Sequence, residues 1–158
     1  MIKQGLQLVG DFIVEQLIKT IEVQGHRTTG ELQESLSAVI KTESGGYSIE
    51  IWGRGYAKYV EQGVPKGAKV SVYALAEWVY NKGIATGEKE VKNIAFAIQA
   101  KIFKEGSVQF RKNKKGFVEV TLDANSKAIF QMVLDLFTKE IALSLTNTVS
   151  RNERVFKN

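Results

Sequence analysis

Glu61 is the carboxylate placed most like a catalytic one, in the stretch YAKYVEQGVPKG from Tyr56 to Gly67. A lone carboxylate does general acid or base work only when a polar partner shares its site and tunes its proton affinity. No such partner stands near Glu61 in the sequence. The surrounding residue types suit architecture better. Tyr56, Tyr59 and Val60 can anchor a short turn, and Gly63 lets the chain reverse. Pro65, the one proline, then stiffens the start of a loop. Glu61 is therefore expected to accept from backbone N–H groups or to meet a basic partner at the turn.

The other groups capable of chemistry are scattered. His26 is the only histidine and lies in a polar loop beside Arg27, so neither a multi-histidine metal site nor a serine–histidine pair is in prospect. Asp11 and Asp135 fall on polar helix faces, and Asp123 reads as a helix cap. Glu88 and Glu90 sit in a first helical turn, where the macrodipole favours negative charge. The WGRGY segment holds a Gly-x-Gly without the rest of a phosphate cradle. With no cysteine there is no thiolate nucleophile, thiolate metal site or disulfide framework. The reading is a non-enzyme with no cofactor and no bound metal.

These residues must be carried by some arrangement of elements. Leu6, Val9, Ile13, Leu17 and Ile21 recur at helical steps and predict a helix from residue 2 to about 24, stopped by Gly25. Thr28 or Thr29 then caps a short helical turn at Glu31 and Leu32. LSAVIKTE, a Gly45–Gly46 turn and YSIEIW predict a hairpin. Ser71 caps a helix ending near Gly83, and a second central helix runs from Glu88 to about Glu105. On that helix Val91, Ile94, Ala95, Ile98 and Ile102 form the core stripe. Phe96 and Phe103 lie on a separate line, which fits either a deeply buried helix or a second face for a neighbouring subunit. SVQF, RKNKKG and FVEVTL predict a second hairpin with a basic tip, and Asp123 opens a last helix. The fold class is α+β: a long N-terminal helix, a small antiparallel sheet of two hairpins, two central helices and a long C-terminal helix. Residues 1–149 read as a single domain and 150–158 as a polar tail.

At 158 residues with a net charge of +5, the chain has the size and balance of an ordinary folded domain. No apolar run is long enough to span a bilayer, and Asp11 and Glu15 break up the first helix as a signal peptide. Synthesis in the cytosol and no membrane partner are the expectation. Part of the positive charge gathers at Arg111, Lys112, Lys114 and Lys115, flanked by Phe110 and Phe117. Such a finger can touch phosphates, which keeps open a small nucleic-acid-binding regulatory protein.

Two motifs point elsewhere. TTGELQESLS, Thr28 to Ser37, resembles a T-G-x-L-x-x-S-L element of the tail-completion, neck or head–tail joining proteins of long-tailed, lambdoid-type bacteriophages. GYAKYVEQGVPKG, Gly55 to Gly67, resembles the Y-A-x-Y-V-E-x-G turn of the same family. Leu75, Trp78 and Val79 match its following L-x-x-W-V helix, and the likeness covers most of residues 1–106. Where family members often run through a proline-bearing connection, this chain carries the basic segment instead.

The resemblance implies a virion structural protein, assembled in the host cytoplasm as a homo-oligomeric ring in the neck. Its partners would be itself, a portal or adaptor protein, tail proteins and, without sequence preference, packaged DNA. A ring needs two different surfaces on each subunit. The candidates are Phe96 with Phe103, the wide first helix, and the loop carrying Val64, Pro65, Lys66 and Lys69. The basic finger would face DNA, an acidic partner or solvent.

Overall fold

The computed structural model of the chain describes residues 2–26 and 29–155, with side chains described through Val149. Helix α1 spans Ile2–Val23 and α2 spans Glu31–Ser35. Strands β1 (Ser37–Glu43) and β2 (Gly46–Trp52) follow, then α3 (Ala57–Gln62) and α4 (Val72–Asn81). Helices α5 (Glu88–Glu105), α6 (Val108–Arg111) and α7 (Phe117–Val155) complete the chain. The class is mixed helix with one two-stranded antiparallel sheet, and the first and last helices are long. The backbone separates into two compact units.

The first unit comprises Met1–Gln16, Ser37–Trp52 and Thr121–Asn158. The hairpin pairs Ser37 with Trp52 through to Glu43 with Gly46, so Ile40 stands opposite Ile49. Gly10 of α1 explains how closely the helix approaches this sheet. A Cβ there would stand 2.6 Å from the Ala38 Cβ and 3.2 Å from a methyl of Ile49. One turn away, Gly5 leaves the space that Leu136 of α7 fills. Gln7 ties the same face down, its Nε2 donating to the Ala38 carbonyl at 3.1 Å and to Asp11 at 2.9 Å. Leu6, Val9 and Ile40 are buried. On the hairpin, Lys41 meets Glu50 at 2.7 Å and holds its carboxyl below the ordinary value, with help from the Trp52 indole N–H.

The second unit comprises Leu17–Leu36 and Gly53–Val120. Its core is built where α4 crosses α5: Val79, Ala85 and Val91 are buried, with Ala76, Ile94 and Ile98 packed around them. These are the helical-period positions of the two segments, and their burial drives the pairing. Ser71 caps α4 by accepting from the Ala74 N–H at 3.4 Å. Gly25, with φ of 73°, turns the chain out of α1. Before α2, the Thr29 hydroxyl accepts from the Glu31 N–H at 3.4 Å. Thr28, its alternative as a cap, lies outside the described residues.

The expected second hairpin does not form. Ser107 opens the short helix α6 instead, accepting from the Phe110 N–H at 3.3 Å, and α7 begins at Phe117. The phenylalanine-rich flanks satisfy a helical period as well as an alternating one. Phe117 and Thr121, four apart, are both buried while Glu119 is exposed, which is the helical solution. Asp123 accordingly lies inside α7 and not at its start, and the helix continues beyond Ser150 to Val155. Residues 156–158 lie outside the described residues.

Candidate functional site

The loop from Gly63 to Val70 is stitched to the second central helix and the turn after it. Val64 donates its N–H to the Ser107 hydroxyl at 2.9 Å, and its carbonyl accepts from the Ser107 N–H at 2.8 Å. Further along, Gly67 donates to the Phe103 carbonyl at 2.8 Å, and Gln99 Nε2 donates to the Val70 carbonyl at 2.7 Å. These bonds hold the loop backbone at Val64, Gly67 and Val70, so the loop forms a wall fixed at three points. Ser107 does double duty, holding Val64 while it caps α6.

That wall, α3, α4 and α5 enclose an open groove of about 800 Å³ within the second unit. Tyr59, Val60, Val64, Leu75, Trp78 and Ile102 make it apolar and aromatic. Tyr56 also lines it, and burial together with the Glu31 carboxylate pushes its phenol pKa up, against the opposing pull of Arg54. Among the described residues, the charged side chains lining it are Lys69, Lys101 and Arg111. Arg111 is held by Glu105 at 3.1 Å. Among the described residues no carboxylate and no imidazole lines the groove, which offers apolar contact, aromatic stacking and positive charge, with the hydroxyls of Tyr56, Tyr59, Ser71 and Ser107 as further polar groups.

Glu61 faces away from that groove and is occupied. Its two carboxylate oxygens accept from the first turn of α7, Val118 N–H at 2.7 Å and Glu119 N–H at 3.2 Å. Those are groups that a helix start leaves without intrahelical partners, and a negative charge there also meets the positive end of the macrodipole. The Glu61 backbone carbonyl accepts from Gln109 Nε2 at 3.2 Å, and the same amide reaches the Lys114 carbonyl at 3.2 Å. Gly116 is the residue that lets the carboxylate in, since any Cβ at that position would collide with Glu61. The aromatic-acidic turn thus supplies, from 57 residues away in sequence, the cap that starts the last helix.

The basic segment is the α6–α7 connection and does not project as a hairpin tip. Asn113 takes a left-handed conformation with φ of 44°, and Gln109 and Glu61 brace the two sides of the turn. Lys115 meets Glu119 at 3.2 Å, and its carbonyl accepts from Gln24 Nε2 at 3.4 Å. Lys112 is exposed, and Lys114 lines a smaller cleft with Gly63, Pro65, Phe110 and Glu61. His26 sits in another cleft, of about 420 Å³, beside Lys82. Partial burial lowers its pKa, as do the charges of Lys82 and Lys114, against the opposing influence of Glu61. Among the described residues, no group of three or more potential metal ligands is assembled.

The groove therefore gathers Tyr56, Tyr59, Val64 and Lys69 from the expected set and adds Arg111 from the basic segment. Lys66 is exposed at its margin, and Pro65 turns to the smaller cleft. Phe96 and Phe103 are half-exposed on α5 and do not line the groove. At about 100° per residue they fall well round the helix, by about 130°, from Ile98 and Ile102. Leu75 and Trp78, which the sequence offered as motif residues, and Ile102, placed in the core stripe, also line the groove, together with Lys101. The three-residue step from Leu75 to Trp78 and the four-residue step from Ile98 to Ile102 were the available signal. No protein-family model, curated protein or solved structure matches the chain.

Proposed function

We propose that the chain is a virion structural protein of the phage neck, forming a homo-oligomeric ring that joins the portal or adaptor to the tail. The observation that carries the proposal is the groove: apolar, aromatic and cationic at its edge, with no carboxylate or imidazole among its described lining residues. Half-buried aromatic side chains beside a rigid wall are the common anchors of protein interfaces. The Phe96–Phe103 face is a second and different apolar surface on the same unit. A subunit with two unlike sticky surfaces is what a closed heterologous ring requires. The two quoted motifs give the same direction.

The positive edge suits an acidic, amphipathic segment of the neighbouring subunit or of an adjoining virion protein. The nucleic-acid reading is weaker than the sequence suggested, because the basic residues sit on a braced turn and two of the four have carboxylate partners. No described helix is long and apolar enough to cross a membrane.

The test is quantitative peptide mass spectrometry of nuclease-treated, gradient-purified virions from the phage or prophage that encodes the chain. A low, ring-like ratio to the major capsid protein is the expected result. Absence from particles with abundance in the lysate would remove the structural role, and salt-dependent duplex binding by the purified chain would then favour the nucleic-acid reading.

A further inference from the structure

The last helix carries a line of large apolar side chains that the described residues leave exposed. Phe130 is 68% exposed, Leu134 47%, Phe137 41%, Ile141 59% and Leu145 62%. They follow one another at steps of four, three, four and four, which keeps them on one face of a straight helix. Ile129, Met132, Val133 and Leu136 are more buried and lie on another face, the one that meets Gly5 of α1. The exposed line is thus distinct from the face already used.

Three further observations define what would cover it. The charged residues of this stretch, Asp135, Lys139 and Glu140, fall outside the line, so its natural complement is itself uncharged. Thr138 and Thr148 border it, with hydroxyls that donate to the Leu134 and Ser144 carbonyls at 2.8 and 2.9 Å, satisfying them within the helix. And every residue from Ile141 to Val149 is exposed, with Leu143 and Val149 adding apolar surface. A helical segment without tertiary packing is marginal in water, so an uncovered end with these side chains lacks the support that most protein helices have.

The size of the surface selects the occupant. At about 200 Å² for a fully exposed large side chain, the five residues leave roughly 500 Å² of apolar surface uncovered. Two copies laid together would bury about 1,000 Å² from these residues alone, and the flanking positions add to it, which reaches the size of a specific interface. We infer that α7 pairs antiparallel with α7 of a second copy of this chain through Phe130, Leu134, Phe137, Ile141 and Leu145. The antiparallel sense opposes the two macrodipoles. It also sets Phe130 against Leu145 and Leu134 against Ile141, with the two Phe137 rings near the two-fold axis. The pairing concerns the free chain and does not rest on the ring reading.

The chain has no cysteine, so single cysteines report the geometry cleanly. Sedimentation equilibrium of the wild-type chain should give a dimer at micromolar concentration. The double variant Leu134→Glu, Ile141→Glu should dissociate at least about a hundredfold more readily. Circular dichroism of the double variant should still show a helical protein. Under mild oxidation, Phe130→Cys mixed with Leu145→Cys should cross-link, and neither should cross-link with itself. Self-cross-linking of Phe130→Cys would overturn the antiparallel pairing. A wild-type monomer, or a dimer unchanged by the double substitution, would overturn the inference itself. Because the cross-linked chains keep the rest of the seam, that result decides the matter even if the glutamate variant does not fold. A monomer here would leave the ring reading to be judged by the virion measurement.

Discussion

At the scale of single residues, Glu61 and His26 tie side-chain charge to the stability of the fold. Removing the Glu61 side chain leaves the Val118 and Glu119 N–H groups without their acceptors. Glu61→Ala should cost about 1–2 kcal/mol in urea unfolding, in the range of a lost N-cap. Glu61→Gln keeps an acceptor oxygen but loses the charge facing the macrodipole, so its cost should be smaller. Equal stability of the alanine variant and the wild type would mean that α7 starts without help from the turn. His26 gives a pH signature. Its folded-state pKa lies below the ordinary histidine value, so on acidification the unfolded chain takes up the proton first. Its contribution to stability is therefore fully present above about pH 6.5 and is lost as the pH falls toward the folded value. His26→Gln should flatten the dependence of the urea midpoint between pH 7 and pH 5, and an unchanged slope would assign that dependence to other groups. The sequence made Glu61 legible as a residue serving backbone. It left unidentified which backbone, because the N–H groups in question belong to a helix that local pattern had assigned to a strand.

Among the elements, the loop between α3 and α4 is the informative one. A stretch of glycines, a proline and lysines reads as a free surface loop. It is a wall because Ser107, Phe103 and Gln99 happen to offer partners along its backbone. Ser107→Ala removes the acceptor for both Val64 and Phe110. Hydrogen exchange at the Val64 and Phe110 amides should accelerate by about tenfold, equivalent to the ~1 kcal/mol of one hydrogen bond, with the α4 and α5 core amides unchanged. Acceleration throughout the second unit would instead mark Ser107 as a determinant of global stability. The helical elements α1, α4 and α5 were legible because their apolar positions repeat with one clear period. Residues 107–122 were not, since Phe110, Phe117, Val118 and Val120 fit a strand as easily as a helix. The choice was made by Ser107 and Glu61 at the helix starts.

For the molecule as a whole, the distribution of charge and apolar surface governs assembly. In the neck-protein reading, reversing Lys112, Lys114 and Lys115 to Glu should lower infectivity or DNA retention if the braced basic turn faces DNA or an acidic neighbour. Normal titre of phage carrying this triple variant would place the turn in solvent and leave the apolar surfaces to account for assembly. Lys115 contributes to that test through its ion pair as well, so the single change Lys112→Glu, at an exposed position, separates surface charge from folding. Exposed apolar surface lies on the groove, on the Phe96–Phe103 face and on α7, and each is a separate target for the assembly measurements.

By itself the sequence determined the fold class, the positions of α1, the first hairpin, α4 and α5, and the absence of cysteine chemistry. Those properties follow from local period, turn residues and composition, which act within a few residues of one another. Tertiary structure decided the rest. It made the basic segment a braced turn between helices and placed Glu61 at the start of α7. It also brought Tyr59, Val64, Trp78 and Ile102 together around one groove. Each of these depends on partners many residues apart, whose hydrogen bonds and burial exist only once the chain has closed on itself.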